Sequence, residues 1–402
     1  MAKWSEELEQ YAIEVIMGGR KGFQAACLRT LLFCLSLIYG LIVRSRLWLY
    51  RKRFLQDRPL GCMVISIGNL TVGGTGKTPV VEKFARSLQD SGRRVAVLSR
   101  GYKSKRRVKP SIWKRLGYGL TGRKLPQDPP RIVADGINIL LDSHMAGDEP
   151  FMLAKNLKDV AVIVDKDRVK SGLHAVRDMK IDTLILDDGL QYLRLGHRLD
   201  IVLVDCQSPF GNEYLLPRGT LREPPVNIRR ASYIFLTKSD GSGQAELVER
   251  IRKYNRTAEI IECRHNPLYF ENLITGEQHP LEFIKGQFVG GICGIAQPQS
   301  FYDGLRRLGA NLEVVRSFTD HHRFSEKEIS QFLDRCVRRD LSAAITTQKD
   351  AVRFPKLPSL PVPVYFMRVE IEILSGQETW EQCVRRICQP PPNVVPYTRF
   401  FS

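Results

Sequence analysis

The sequence predicts an α/β protein: a parallel-sheet domain, a second, smaller α/β domain after it, and an N-terminal membrane-associated helix. Three observations carry that expectation. Short apolar, β-branched runs alternate with helix-like stretches through the middle of the chain. A glycine-rich turn joins the first of those runs to a helix, and an uncharged stretch near the start is followed by a dense basic cluster. At 402 residues the chain exceeds what one hydrophobic core usually supports, so two domains are expected.

The uncharged stretch runs from Thr30 to Val43, TLLFCLSLIYGLIV. Its 14 residues fall short of the roughly 20 that a full span needs. Arg44, Arg46, Arg51, Lys52 and Arg53 follow it, with Trp48 and Tyr50 where aromatic rings favour a headgroup boundary. The alternative is a buried helix of the soluble core. The basic flank favours an anchor in one leaflet, because anionic headgroups attract each juxtamembrane cation by about 1 kcal/mol. Glu6, Glu7 and Glu9 argue against a transit peptide, so the segment is expected to be retained, with the rest of the chain on the cytoplasmic side.

The runs at Cys62–Gly68, Arg94–Gly101, Val160–Asp167, Ile181–Gly189, Leu199–Asp205 and Ser232–Asp240 read as strands buried on both faces. Their spacing predicts parallel pairing through crossover helices. Between Val108 and Pro130 the pattern dissolves into Gly, Pro, Lys and Arg, the composition of a long loop. Further strands are expected at Phe288–Ala296, Leu341–Asp350 and Val362–Ile373, and the tail from Gln389 is proline-rich. These runs divide the chain into an anchoring segment at 1–55, a first domain at 56–265, a second at 266–388 and a tail at 389–402.

The first strand leads into NLTVGGTGKTP and then into a helix-like run. Strand, glycine loop and helix form the context of a phosphate cradle, in which backbone N–H groups and the positive end of the helix dipole face the phosphate oxygens. That makes the first domain P-loop-containing. Gly73, Gly74, Thr75 and Gly76 form the cradle, Lys77 reaches the β and γ phosphates, and Thr78 ligates Mg²⁺. The strict spacing asks for Gly where this chain has Thr71, so the match is a variant. The run TLILDDG ends in Asp187 and Asp188, placed as a magnesium-binding strand end would be, or else opening a solvated turn. ATP and Mg²⁺ are the expected cofactors.

Composition narrows the class. Apolar residues at 43% and charged residues at 26% fit a folded, largely water-soluble enzyme. The net charge is +18, and two acid-free blocks account for it: eight Lys or Arg from Arg20 to Arg53, and ten from Ser99 to Lys124. Such blocks suit nucleic acid, an anionic bilayer or a phosphorylated substrate. Zinc-finger spacing and aromatic RNA-binding patterns are missing from the sequence, so charge alone does not make a nucleic-acid protein. The nine scattered cysteines show no CxxC pair and fit reduced thiols.

The strings SIGNLTVGGTGKTP, SRGYKSK, GDEPFMLA, VDKDR, LDDGLQYLRL, DIVLVD, LPRGTLREP, FTDHHRF and TTQKDAV occur in this order. In order and spacing, from about residue 25 to about residue 370, the chain resembles the tetraacyldisaccharide 4'-kinases of lipid A synthesis. The resemblance implies a bacterial inner-membrane enzyme on the cytoplasmic face that moves the γ-phosphoryl of ATP onto the 4'-hydroxyl of an acylated glucosamine disaccharide 1-phosphate. It also implies two α/β domains with the site in the cleft between them, and no obligate protein partner. Asp148 of GDEP and His321 of DHH match the residues the family pairs as catalytic base, with Lys77 on the phosphates. From the residues alone, Asp148 reads first as a helix cap before Glu149 and Pro150. Tyr102, Glu149, Gln191, Arg222, Glu223 and Asp320 match positions used around substrate or nucleotide.

Departures from the family pattern are Leu190 and Tyr192, where DDGFQH is usual, and Gln348, where TEKD is usual. The basic stretch from Lys103 to Lys124 is longer than usual, and with the anchor's flank it suits anionic lipid or the substrate's phosphate. The competing expectation is a membrane-associated P-loop ATPase switch that phosphorylates no sugar.

Overall fold

A computed structural model describes residues 11–16, 18–101, 104, 128–355 and 359–389. Within them the strands are β1 (Met63–Asn69), β2 (Val95–Ser99), β3 (Arg131–Asp135), β4 (Ala161–Val164), β5 (Thr183–Asp187), β6 (Leu199–Asp205), β7 (Tyr233–Thr237), β8 (Glu259–Asn272), β9 (Gln278–His279), β10 (Phe288–Cys293), β11 (Asn311–Ser317), β12 (Ala343–Thr347) and β13 (Val364–Ser375). The helices are α1 (Phe23–Arg51), α2 (Lys77–Asp90), α3 (Ser143–Ala146), α4 (Asp148–Asn156), α5 (Arg168–Asp178), α6 (Ala245–Arg252), α7 (Pro298–Arg307), α8 (Glu326–Arg338), α9 (Gln348–Ala351) and α10 (Gln377–Cys388). The chain forms two compact units, each assembled from separate stretches of sequence.

The first unit takes in the described parts of Met1–Gly92, Ile185–Asn266 and Glu370–Ser402. Here β1, β6, β7 and the start of β8 pair in parallel, with Ile65 opposite Leu199, Ile201 opposite Tyr233 and Tyr233 opposite Glu259. Every residue of β1 and β7 is buried, which is why these strands read as unbroken apolar runs. On one face Phe84 of α2 lies edge-on to Trp380 of α10 at 4.3 Å and to Phe235 of β7 at 5.9 Å. Leu190, Val202, Phe210, Ile228, Ile234 and Ile251 fill another part of the core.

Helix α1 is twice the length of the uncharged run inside it, 29 residues, or about 44 Å. By length and composition it is able to cross a membrane. A narrow stripe holding Ala25, Ser36 and Gly40 is buried. Gly40 lies so near Leu215 that a Cβ would come within 2.9 Å of its Cδ1, and Phe33 meets Tyr214 edge-on at 6.1 Å. Around the rest of the helix Phe23, Leu31, Leu35, Leu37, Ile38, Leu41 and Ile42 are exposed.

The second unit takes in the described parts of Arg93–Leu184 and Pro267–Val369. Strands β11, β10, β12 and the start of β13 pair in parallel. Helices α7 and α8 contribute Phe301, Tyr302 and Leu305, and Ile329, Phe332 and Leu333, to two apolar clusters. Serine 325 and Glu328 close a capping box that starts α8. In the same unit β2 pairs in parallel with β4, and β3 adds antiparallel to β4.

Strand β8 was not expected. Glu259, Glu262, Arg264 and His265 break its apolar pattern, and Pro267 falls inside it. The strand survives because its first half pairs with β7 and its far end, at Phe270 and Glu271, pairs antiparallel with β9. Strand β11, with a single buried residue, shows too little apolar alternation to be found from sequence. The basic stretch 103–124, Ser104 excepted, and all but the first residue of the tail lie outside the described residues.

Because Phe84 is fully buried against two aromatic rings, Phe84→Ala should cost about 3–5 kcal/mol. Urea denaturation checks this, and a midpoint within error of the parent would show that the aromatic cluster adds nothing.

Candidate active site

At the end of β1, Asn69 is fully buried and works in two directions. Its Nδ2 donates to the Thr71 carbonyl at 2.8 Å, and its Oδ1 accepts from Lys77 Nζ at 3.0 Å. Thr71 forms an antiparallel bridge to Leu221, and Val72 N donates to the Thr220 carbonyl at 2.7 Å. The Thr71 side chain is buried, and its Oγ1 also accepts from Asn69 Nδ2 at 3.3 Å. The position where the strict motif has glycine is thus a fastening point in this chain.

The loop turns at Gly73 and Gly76, with φ of 123° and 76°. A Cβ at Gly73 or Gly74 would meet nothing within 4 Å, so there is open space beside the loop at both glycines. Gly76 is closed instead: a Cβ would come within 2.5 Å of the His265 ring. Burial pushes His265 down to about 4, and neighbouring Lys238 acts in the same direction, so this ring packs under the loop uncharged. Thr237, at the end of β7, donates through Oγ1 to the Thr75 carbonyl at 2.9 Å. Helix α2 then begins at Lys77, with Thr78 buried in its first turn.

The turn after β5 faces this loop. Asp187 is buried, and Asp188 has a left-handed φ of 55°. Leu190 packs so tightly on β1 that a Cβ on Gly68 would lie 2.7 Å from its own. Asp188 receives Arg222 Nη1 at 2.7 Å and 2.6 Å on its two oxygens, with Lys77 Nζ 3.4 Å from one of them. Burial would raise the Asp188 carboxyl, but the Lys77 and Arg222 charges outweigh it and hold it below the usual carboxylate range. Gln191 accepts from the same Arg222 nitrogen at 3.4 Å and donates to the Asn69 carbonyl at 3.1 Å. Helix α1 reaches these residues through their backbone: Tyr39 Oη donates to the Arg222 carbonyl and Arg46 Nη2 to the Gln191 carbonyl, both at 3.0 Å. Glu223 is buried and joins Arg230 at 2.6 Å and Asn227 at 2.8 Å instead.

These residues fit a magnesium nucleotide. Thr75 Oγ1 is buried without a hydrogen-bond partner among the described residues, inside the loop expected to cradle phosphate. The described residues contain no group of three His, Cys, Asp or Glu able to cage a metal. That suits Mg²⁺, which takes one or two protein oxygens and otherwise phosphate and water. Thr78 and Asp187 supply such oxygens.

A second cluster lies in the other unit. Gly147, with φ of 93°, turns the chain so that Asp148 opens α4 and is 97% buried, at 3% exposure. Its Oδ2 accepts from Arg353 Nε at 2.8 Å and lies 3.4 Å from His321 Nδ1, and its Oδ1 accepts from Arg323 at 3.3 Å. Burial would raise the Asp148 carboxyl, but the neighbouring His321 and the charges of Arg353 and Arg323 prevail and lower it. His321 sits at a left-handed turn with φ of 62°, its Nε2 3.3 Å from Lys349 Nζ. Lys349 also reaches Glu149 at 3.3 Å and Asp320 at 3.6 Å. The neighbouring His322 turns away, to Glu328 at 3.1 Å and a stack on Phe318.

The structure therefore gathers Lys77, Asp188, Gln191 and Arg222 in one unit, and Asp148, Glu149, Asp320 and His321 in the other. Tyr102 lies outside the described residues. Sequence reasoning missed Asn69, Lys349 and Arg353. The signal for the last two was faint: two cations four residues apart directly after a strand end, in TTQKDAVR. Gln348 of that string bonds Arg368 and Asn156, both at 2.8 Å.

A parallel α/β fold with a glycine-loop lysine cluster and a buried carboxylate beside an imidazole is an arrangement of the kinase class. The chain belongs to the tetraacyldisaccharide-1-P 4'-kinase family, whose model matches residues 28–389. It is 35% identical over 375 residues to a tetraacyldisaccharide 4'-kinase of Desulfatibacillum aliphaticivorans, covering 91% of this chain and 95% of that one. To the protein of that name in Geobacter sulfurreducens it is 38% identical over 360 residues, with coverage of 89% and 93%. A solved structure of the Aquifex aeolicus family member LpxK in complex with ATP superposes with a TM-score of 0.68 at 29% identity, covering 90% of this chain and all of that one.

Gly76→Ala should both strain the loop and strike the His265 ring, costing about 1–3 kcal/mol and weakening ATP binding. Calorimetry and a thermal melt would read the two effects, and parent-like values for both would remove the constraint assigned to Gly76.

Proposed function

We infer that this chain transfers the γ-phosphoryl of ATP to the 4'-hydroxyl of a tetraacylated glucosamine disaccharide 1-phosphate, a step of lipid A assembly. The observation that carries this reading is the family match across residues 28–389, and the short distance between Asp148 and His321 supports it. When bound, Mg-ATP supplies the electrophilic phosphorus and offsets charge on the phosphate oxygens. Lys77 and the N–H groups of Gly73–Thr78 would hold the phosphates, and Thr78 and Asp187 the Mg²⁺. Asp188, engaged by Lys77 and Arg222, would have to release a cation to take the metal.

A sugar hydroxyl does not ionise near neutral pH, so its oxygen needs a base within hydrogen-bond reach to attack phosphorus. Asp148, held ionised, takes that part with His321 beside it. Arg222 offers a planar fork to a substrate phosphate. Gln191, Glu149, Glu223 and Tyr102 complete the proposed substrate contacts.

In a labelled-ATP transfer assay with acylated disaccharide, Lys77→Ala and Asp148→Ala should each lose activity, the latter by about 10²–10⁴-fold, while Asp148→Ala still binds ATP. Release of inorganic phosphate with no labelled lipid would instead mark an ATPase switch.

The location proposed is the cytoplasmic face of the bacterial inner membrane, with α1 lying in one leaflet. A helix fastened along its length by the stripe at Ala25, Ser36 and Gly40 cannot cross the bilayer alone without losing those contacts, while its exposed leucines and isoleucines need lipid. A membrane-impermeant maleimide should label Lys21→Cys and Ser242→Cys from the same side of sealed vesicles, in a background lacking Cys27 and Cys34. Opposite-side labelling would establish a span.

A further inference from the structure

Arg353 is buried with no exposed side-chain surface, and its whole fork is used. Nη1 donates to Asp350 Oδ1 at 3.0 Å and to the Gly294 carbonyl at 3.1 Å. Asp350 is itself held by Thr347 Oγ1 at 2.6 Å. The other edge is unusual. Its Nε donates to Asp148 Oδ2 at 2.8 Å, and its Nη2 faces His321 Nδ1 at 3.1 Å. Such an edge commonly holds the two oxygens of one carboxylate; here it holds one carboxylate oxygen and one imidazole nitrogen, 3.4 Å apart.

A guanidinium has only donors and keeps its proton in proteins. His321 Nδ1 must therefore accept, and its ring proton sits on Nε2. Lys349 Nζ also faces the ring, at Nε2, but at 3.3 Å against 3.1 Å for Arg353 Nη2, and it has Glu149 and Asp320 beside it as ion-pair partners. Asp148 and His321 thus confront each other as two lone pairs with no proton between them.

We propose that Arg353 is a positioning residue for the phosphoryl-transfer reaction: its Nε and Nη2 hold Asp148 Oδ2 and His321 Nδ1 side by side, both unprotonated, as a pair set to take up one proton. A proton leaving the acceptor hydroxyl for Asp148 removes the repulsion between the two lone pairs and becomes a hydrogen bond between oxygen and nitrogen. The pair is a better acceptor than either group would be alone, and Arg353 keeps it empty until the hydroxyl arrives. The charged and titratable groups facing the pair are Arg353, Arg323, Lys349 and Asp320.

This inference rests on Asp148 acting as base. Arg353→Lys keeps a charge and loses the fork, and Arg353→Met loses both. For each, kcat should fall by about tenfold to a hundredfold, more for Met, with KM for ATP and lipid unchanged. The acid limb of kcat should move to higher pH in Arg353→Met, because a carboxylate deprived of its cation protonates more easily as pH falls. In the parent enzyme labelled with ¹⁵N-histidine, the His321 signals, assigned by their loss in His321→Gln, should show protonated Nε2 and unprotonated Nδ1. A folded Arg353→Met with unchanged kcat and acid limb, or a His321 ring protonated on Nδ1, overturns the proposal. The tautomer decides the matter if Arg353→Met does not fold. Full activity of Asp148→Ala would overturn the base assignment itself, whereas an inactive Asp148→Ala beside unaffected Arg353 variants would overturn only the role of Arg353.

Discussion

The carboxylate of Asp188 is the point on which the glycine-loop cluster hangs. It takes a guanidinium on both oxygens and an ammonium on one. Three pieces of chain far apart in sequence are fixed by that single group: the turn after β5, the start of α2 through Lys77, and the LREP segment through Arg222. With a third of the Asp188 side chain open to solvent, the arrangement is not a sealed buried pair. Its cations stay partly open to solvent, so exchanging Asp188 for another anion would carry no large desolvation cost.

The carboxylate in the other unit obeys the opposite economy. Asp148 and Arg353 are closed off from water, and Asp350 with them. A lone ionised group there would be untenable, and losing Arg353 would take away a cation that both carboxylates share. Burial pushes Asp350 up in spite of Arg353, whereas Asp148 goes down. The difference is one of neighbours: Asp148 meets Arg353, Arg323 and His321, while Asp350 shares Arg353 and bonds Thr347. One guanidinium thus serves two carboxylates and leaves them in different electrostatic states.

Much of this was legible in the sequence, for a physical reason. Strands buried on both faces have no polar alternation, so β1, β2, β4 to β7 and β12 announce themselves as apolar runs, and a glycine loop before a helix admits few readings. The phosphate-loop residues and Asp188 follow from that context. What escaped was whatever depends on a partner distant in sequence. Strand β8 looks polar because its two halves are completed by β7 and β9. Thr71 looked like a flaw in a motif until its bridge to Leu221 was seen. Arg353 looked like one more cation in a basic protein, because nothing local shows that its fork is divided among Asp148, Asp350, Gly294 and His321. The uncharged run at Thr30–Val43 marked the middle of α1 but not its length, since charged residues at a helix end interrupt hydropathy without interrupting the helix.

The two hydrogen bonds from α1 to the Arg222 and Gln191 carbonyls change what that helix is. Tyr39 and Arg46 grip the main chain of residues that grip Asp188 and Asn69, so this largely exposed apolar helix also braces the glycine-loop cluster. A shortened chain beginning after Arg53 would be a different enzyme rather than a trimmed copy of this one, with the backbone of Arg222 and Gln191 left unbraced.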